Sequence, residues 1–230
     1  TGTQKTTALP GPLAPLGNQG AFHNGTEGTS AEVKSQSISM LFGYQPTENF
    51  NFYAGPVYQT IKGDVQLRGL AYGGNATFGG YNASIKETGD IGWLAGAAFQ
   101  IPDIALKASV TYRSEIEHSV NVKESFNSAG LLAGLNAAPS LNTDITTPQS
   151  VNLDFQTGIM ANTVAFANVR WVDWSSFSIQ PYKFGLASKS AAIQAQTGKS
   201  EFDLVAYTDD QISATVGVGR KLNDQWAGNV

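Results

Sequence analysis

The sequence predicts an all-β fold, an antiparallel transmembrane β-barrel or part of one, and three observations carry that expectation. Seven stretches alternate apolar and polar residues with the period of a strand. Their connections alternate between tight polar turns and segments of roughly twenty residues or more, as in barrels whose turns are short on one side of a membrane and long on the other. Charged residues make up 14% of the 230 positions, against about a quarter in soluble domains. No run of 18 apolar residues exists that would form a transmembrane helix.

In chain order, residues 1–28 read as a long connection. A first strand over 31–44 sets Ile38, Met40, Phe42 and Tyr44 against Ser35, Ser37, Ser39 and Gly43, and turn 45–49 follows. A second, 50–68, loses parity near Gly55-Pro56, which predicts a bulge or bend. Connection 69–89 leads to strand 90–101, where Ile91, Trp93, Ala95, Ala97, Phe99 and Ile101 oppose small Gly92, Gly96 and Ala98. Turn 102–103 opens the clearest strand, 104–123. There Ile104, Leu106, Ala108, Val110, Tyr112, Ile116, Val120 and Val122 share one face, and Lys107, Arg113, Glu115, Glu117 and Lys123 lie on the other. At about 3.3 Å per residue it reaches roughly 65 Å, enough to cross a bilayer at a tilt and project beyond it.

Connection 125–147 precedes strand 150–159, with Val151, Leu153, Phe155 and Ile159 against Asn152, Asp154 and Gln156. Turn 160–163 opens strand 163–179, whose parity blurs near residues 168–172 and predicts a second bend. After connection 183–209, strand 211–222 presents Ile212, Ala214, Val216 and Val218, and turn 223–225 leads into an eighth strand from Trp226. Aromatic residues fall into two bands. Tyr44, Phe50, Phe52, Phe99, Phe166 and Trp226 lie near the short turns, and Trp93, Tyr112, Trp171 and Trp174 lie further up, as interfacial girdles would.

Other chemistries find little footing. Net charge −4 gives no footprint for nucleic acid, and the absence of cysteine removes disulfides and thiol catalysis. His23 and His118 have no metal-type spacing, no cofactor motif is found, and Gly198-Lys199-Ser200 lacks the first glycine of a phosphate loop, with Ile193 in its place. The reading is therefore not an enzyme. The opening Thr1-Gly2-Thr3-Gln4-Lys5 has no signal-peptide pattern, and the strand count is too small to enclose a hydrophilic lumen, so the chain reads as a piece of a larger protein.

The run from Ile101 to His118, with Thr111-Tyr112-Arg113-Ser114, resembles a signature strand of the FadL-type outer-membrane long-chain fatty acid and hydrocarbon transporters. So do Thr147-Pro148-Gln149-Ser150 and Trp171-Val172-Asp173-Trp174-Ser175-Ser176-Phe177, and the similarity spans roughly residues 30–228 in order. The resemblance implies a bacterial outer-membrane channel for passive uptake of hydrophobic small molecules. The chain would supply the central part of one barrel domain over residues 1–230, about 7–8 strands of an expected 14, without the hatch, the early strands or the closing strands. Expected partners are a fatty acid or hydrocarbon ligand and outer-membrane lipid and lipopolysaccharide, with the full-length protein monomeric. Asp154 stands where the family usually has glycine, and the family-variable segment 183–209 lies outside this transfer.

In that family two external loops, here about 69–89 and 125–147, form a groove that captures ligand. Leu70, Phe78 and Tyr81 on the first, and Phe126, Leu131, Leu132 and Leu135 on the second, are the candidates, and packing of the two loops on each other is the plainer alternative. A fatty-acid carboxylate would seek a cation on the lumen side. Lys62 and Arg113 are the candidates there, although Arg113 also reads as an ion-pair partner of Glu115, Glu117 or an acid of a neighbouring strand. A general porin and a soluble all-β adhesin or binding module remain as alternative functions.

Overall fold

The computed structural model describes residues 2–5, 20–223 and 225–230. In chain order the strands are β1 (Gly2–Lys5), β2 (Ser30–Ser39), β3 (Phe42–Tyr44), β4 (Phe50–Gln66), β5 (Asn82–Ile101), β6 (Leu106–Arg113), β7 (Ile116–Ser125), β8 (Asn142–Thr147), β9 (Ser150–Met160), β10 (Thr163–Val172), β11 (Ser178–Ile179), β12 (Val205–Ala206), β13 (Gln211–Lys221) and β14 (Ala227–Asn229). Two short helices, α1 (Tyr182–Ser188) and α2 (Ala191–Thr197), separate β11 from β12. The wall runs β1-β2-β4-β5-β6-β9-β10-β13-β14, with every neighbouring pair antiparallel. β3 prolongs β2 along β4, and the β7/β8 pair prolongs β6/β9. This is a half-barrel meander ending at β1 and β14.

Register sorts the side chains. Tyr44, Phe52, Ala97, Val110, Leu153, Val169 and Ala214 stand opposite one another in a single row across seven strands, and every member is apolar. The row beside it, on the other face, reads Asn51, Ala98, Ser109, Asp154, Asn168 and Thr215. Ile91, Ile212 and Val216 of the first face are 72%, 71% and 79% exposed, so no second layer of protein covers them. A continuous apolar face of this extent is suited to hydrocarbon rather than water. Trp93 and Tyr112 pack at 5.1 Å on the same face near its upper limit, and Phe50 and Phe99 at 5.0 Å near the short turns. The two aromatic bands therefore sit where girdles are needed.

The polar face lines the lumen. There Tyr53 lies across Gly96 and its hydroxyl reaches Thr111 Oγ1 at 2.6 Å, joining three strands. A Cβ at position 96 would collide with the tyrosine ring, so this strand needs glycine there.

Five sequence expectations change. Strand 104–123 is two strands, β6 and β7, parted at Ser114-Glu115. The even-numbered parity that faces outward at Val110 (42% exposed) is enclosed at Val120 and Val122 (0%). Pro148-Gln149 breaks the partner strand opposite, so the β7/β8 ribbon turns off β6/β9 as a unit in unchanged register, and β7 pairs with β5 again at Asn82–Ile85. Ile116 then packs on the lumen face with Val57 and Leu94.

No bend occurs at 168–172, where β10 pairs continuously with β9 and β13. Its parity blurs because Val164, Phe166 and Val172 stand on the polar face; Phe166 covers Gly217 there and so leaves the lower girdle. Near Gly55-Pro56 the irregularity belongs to the partner: Met40 N donates to Pro56 O at 3.1 Å, and proline has no N–H to answer. The register slip of β4 lies higher, between Ile61 and Gly63, where β5 carries an extra residue. Of the expected connection 1–28, residues 1 and 6–19 lie outside the described residues, and Gly2–Lys5 forms a strand. Asp224 of turn 223–225 also lies outside them.

The assignment of faces has a direct consequence. Val216→Arg, on the lipid side, should weaken folding of the whole protein into liposomes by about 2–4 kcal/mol, whereas Thr215→Arg, on the lumen side, should cost well under that. Equal costs in a denaturant titration of the inserted barrel would refute the orientation.

Candidate functional site

Above the wall the chain builds a cap with its own core. Loop 69–81 winds through three 3-10 turns, and Gly69, Gly73 and Gly74 adopt positive φ in it. Loop 126–141 adds another 3-10 turn, and α1 and α2 close the side. Ile61, Val65, Phe78, Tyr81, Val120, Val122, Phe126, Leu132, Ile145, Phe184 and Ile193 form one buried cluster. Its rings interlock: Phe78 and Phe184 are 4.8 Å apart, and Tyr81 and Phe126 are 5.1 Å apart.

Glu124 joins three segments of this cap. Its buried carboxylate accepts from Tyr81 Oη and from the backbone N–H groups of Lys183 and Phe184, each at 2.8 Å. The two amides belong to the first turn of α1, where a negative charge also complements the helix dipole. Burial first, and the Glu124 carboxylate second, push the Tyr81 hydroxyl far above its ordinary pKa, which keeps it a donor. Arg68 is similarly occupied. It donates to Glu27 Oε2 and Asn82 Oδ1 at 2.7 Å and to the carbonyls of Leu67 and Tyr81. Lys183 Nζ donates to Asn136 O at 3.2 Å, while the Asn136 amide brackets Phe126 N and O.

Between loop 69–81 and segment 193–205 lies a half-open cavity of about 800 Å³. Phe22, Tyr72, Phe78, Phe184 and Phe202 supply aromatic walls, with Ile193, Leu204 and Val205 beside them. Ala31 and Val65 form part of its floor, and they continue the lumen face of β2 and β4. The cavity therefore sits over the lumen and not over the lipid face. Its size falls in the range of small-molecule pockets, roughly 300–1,000 Å³.

Of the seven groove residues expected from sequence, Phe78 lines this cavity. Tyr81, Phe126 and Leu132 are buried in the cap core and Leu135 is packed against it, so the loops do pack on each other. Leu70 and Leu131 stay exposed on the outside. Lys62 continues the outward row of β4 opposite Lys34 and pairs with Glu87 at 3.0 Å, so it does not face the lumen. Arg113 does, between Leu94 and Ser150, and among the described residues it forms no ion pair with Glu115 or Glu117, since the chain breaks from the wall directly after it. Reasoning from sequence missed Phe184, Ile193, Phe202, Leu204 and Val205, because segment 183–209 was set aside as variable. Their apolar spacing through an otherwise polar stretch was the available signal.

A second buried feature holds the ribbon against the wall. His118 on β7, above the membrane-spanning part of the wall, is fully enclosed, with Nε2 3.5 Å from Gln59 Oε1 and Nδ1 3.6 Å from Asp90 Oδ2. Thr147 Oγ1 of β8 donates to the same Gln59 oxygen at 2.9 Å. Burial lowers the His118 pKa, with Asp90 opposing, and the fold favours the neutral ring.

With the half-barrel, its lipid face and the cap cavity in view, comparison with known proteins becomes decisive. The profile of the family described as outer membrane protein transport protein (OMPP1/FadL/TodX) matches residues 18–228. The chain belongs to this FadL/TodX family. Among solved structures, a Pseudomonas aeruginosa FadL homologue matches with a TM-score of 0.56 at 17% identity, covering 86% of this chain and 48% of that one. The Ralstonia pickettii toluene transporter TbuX gives 0.56 at 12%, covering 95% and 60%, and the Pseudomonas putida toluene transporter TodX gives 0.54 at 14%, covering 90% and 57%. At these identities the likeness is one of fold. The chain spans about half the length of these FadL/TodX structures. No curated protein matches it. The family is one of outer membrane transport proteins, not of enzymes, and it places the chain in the outer membrane.

Two measurements probe the cap. Glu124→Ala leaves two helix amides and a tyrosine hydroxyl without their acceptor and should cost the cap on the order of 3 kcal/mol. Proteolysis within 182–205 should rise sharply while the barrel keeps its heat-modifiable migration; unchanged protection would count against the carboxylate's role. Because the folded-state pKa of His118 is depressed, its contribution is complete above the free-histidine value near 6.5 and declines as pH falls toward the folded value. Protease protection of the 116–147 ribbon should therefore drop on acidification below about pH 6.5, and His118→Gln should remove that pH dependence.

Proposed function

We propose that this chain is the central part of a single outer-membrane barrel that admits hydrophobic small molecules by passive diffusion, and that the cavity between loop 69–81 and segment 193–205 takes them up first. The supporting observation is the position of that cavity. It is largely apolar, half-open, and floored by residues of the lumen face. A hydrophobic solute leaving water there gains about 25 cal/mol for each Å² of apolar surface buried, before it meets the lumen. The likeness of the fold to two toluene transporters and a FadL homologue supports hydrocarbons or fatty acids as the cargo. Leu70 and Leu131 would form outer rims of the uptake region, Phe78 its wall, and Arg113 the cation on the lumen face below. The whole protein would act as a monomer, its outward apolar rows against lipid and lipopolysaccharide.

The test is uptake of radiolabelled toluene and oleate by cells carrying the whole protein. Uptake of at least one should exceed that of empty-vector cells, and Phe78→Asp with Phe202→Asp should reduce it while conductance to small ions is retained. Uptake equal to the empty vector with the barrel inserted would end the transport reading. A change in conductance alone would favour a general porin.

A further inference from the structure

We infer that the cap cavity selects uncharged apolar molecules and disfavours carboxylates, so that its preferred cargo is neutral hydrocarbon and not ionised fatty acid. This rests on the reading of the cavity as the uptake site and goes beyond it by assigning the chemical class. The buried positive charge of the cap is already committed within the protein. Arg68, next in the chain to the cavity-lining Leu67, is buried and already engaged by Glu27, Asn82 and two carbonyls. Lys183 is buried and donates to the Asn136 carbonyl. The first-turn amides of α1, a natural cradle for an anion, are filled by Glu124 from within the protein. The sequence candidates for a carboxylate partner do not help either: Lys62 faces outward against Glu87, and Arg113 lies below, on the wall.

Among the described residues two charged side chains line the cavity, and they oppose each other in effect. Lys199 is exposed at the mouth, just after the left-handed Gly198 that ends α2, and Asp203 is half-buried further along the same segment. A fatty acid seated with its chain among Phe78, Phe184 and Phe202 would either bury its carboxylate beside Asp203 or leave it in water near Lys199. The first alternative strips an ion of solvent without a partner. The second gains only a solvent-screened surface pair. A neutral aromatic or aliphatic molecule meets neither cost, and the surrounding rings offer edge and face contacts at the spacing already seen between Phe78 and Phe202, 5.6 Å.

The experiment is displacement of the uncharged fluorophore N-phenyl-1-naphthylamine from the whole protein in lipid nanodiscs. Decanol and decanoate compete at pH 8, with folding verified by heat-modifiable migration. Decanol should displace the probe at a concentration at least about tenfold lower than decanoate, the penalty of an unpaired carboxylate. Acidification that protonates decanoate should close the gap, and Lys199→Ala should leave it unchanged. Decanoate matching or surpassing decanol at pH 8, with that affinity lost in Lys199→Ala, overturns the assignment. The underlying uptake reading fails separately: probe binding that survives both Ala71→Trp and Gln196→Trp, which fill the cavity from opposite walls, would show that the probe sits elsewhere.

Discussion

A peptide group placed in hydrocarbon must find its hydrogen-bond partner within the protein, and the wall of this chain is arranged around that requirement. Each wall strand has an antiparallel neighbour on both sides until β1 and β14. Once pairing is fixed, register fixes composition: the row from Tyr44 to Ala214 is apolar because it meets lipid, and the row from Asn51 to Thr215 is polar because it meets the lumen. A slip of a single position would exchange the two sets.

Where the wall rises clear of lipid the requirement relaxes, and the architecture changes with it. The β7/β8 ribbon turns off the ends of β6 and β9 and keeps only the top of β5 as a neighbour, the backbone turns through short 3-10 segments, and two seven-residue helices appear. Stability there comes from a conventional buried core stitched by polar side chains. Glu124, Arg68, Asn136 and Lys183 satisfy backbone groups that no ladder serves. The same strand takes part in both regimes. Its apolar parity meets lipid along β6 and protein along β7, which is why one uninterrupted alternation in the sequence corresponds to two environments in space.

That explains how far the sequence could be read. Parity of period two revealed the wall strands, their lipid face and the turns, since each local residue choice answers to a single global surface. Parity does not report which layer covers a face, so the break at Ser114-Glu115 and the enclosure of Val120 were invisible to it. Lys62 is even-numbered, and that parity puts it in the outward row with Phe52 and Tyr58. In the cap, residues distant in sequence must meet. No spacing rule links Glu124 to the amides of 183 and 184, or Phe78 to Phe202, and so the cavity emerged only from coordinates.

Glu124 also bears on how a solute would be received. One carboxylate grips both the loop that forms one side of the cavity, through Tyr81, and α1, whose Phe184 also lines it. The loop and the helix are thereby tied as one stiff unit by ion-assisted bonds in a dry interior. On the proposed reading, such a vestibule would hold a guest by shape and greasiness and pass it on without a closing step.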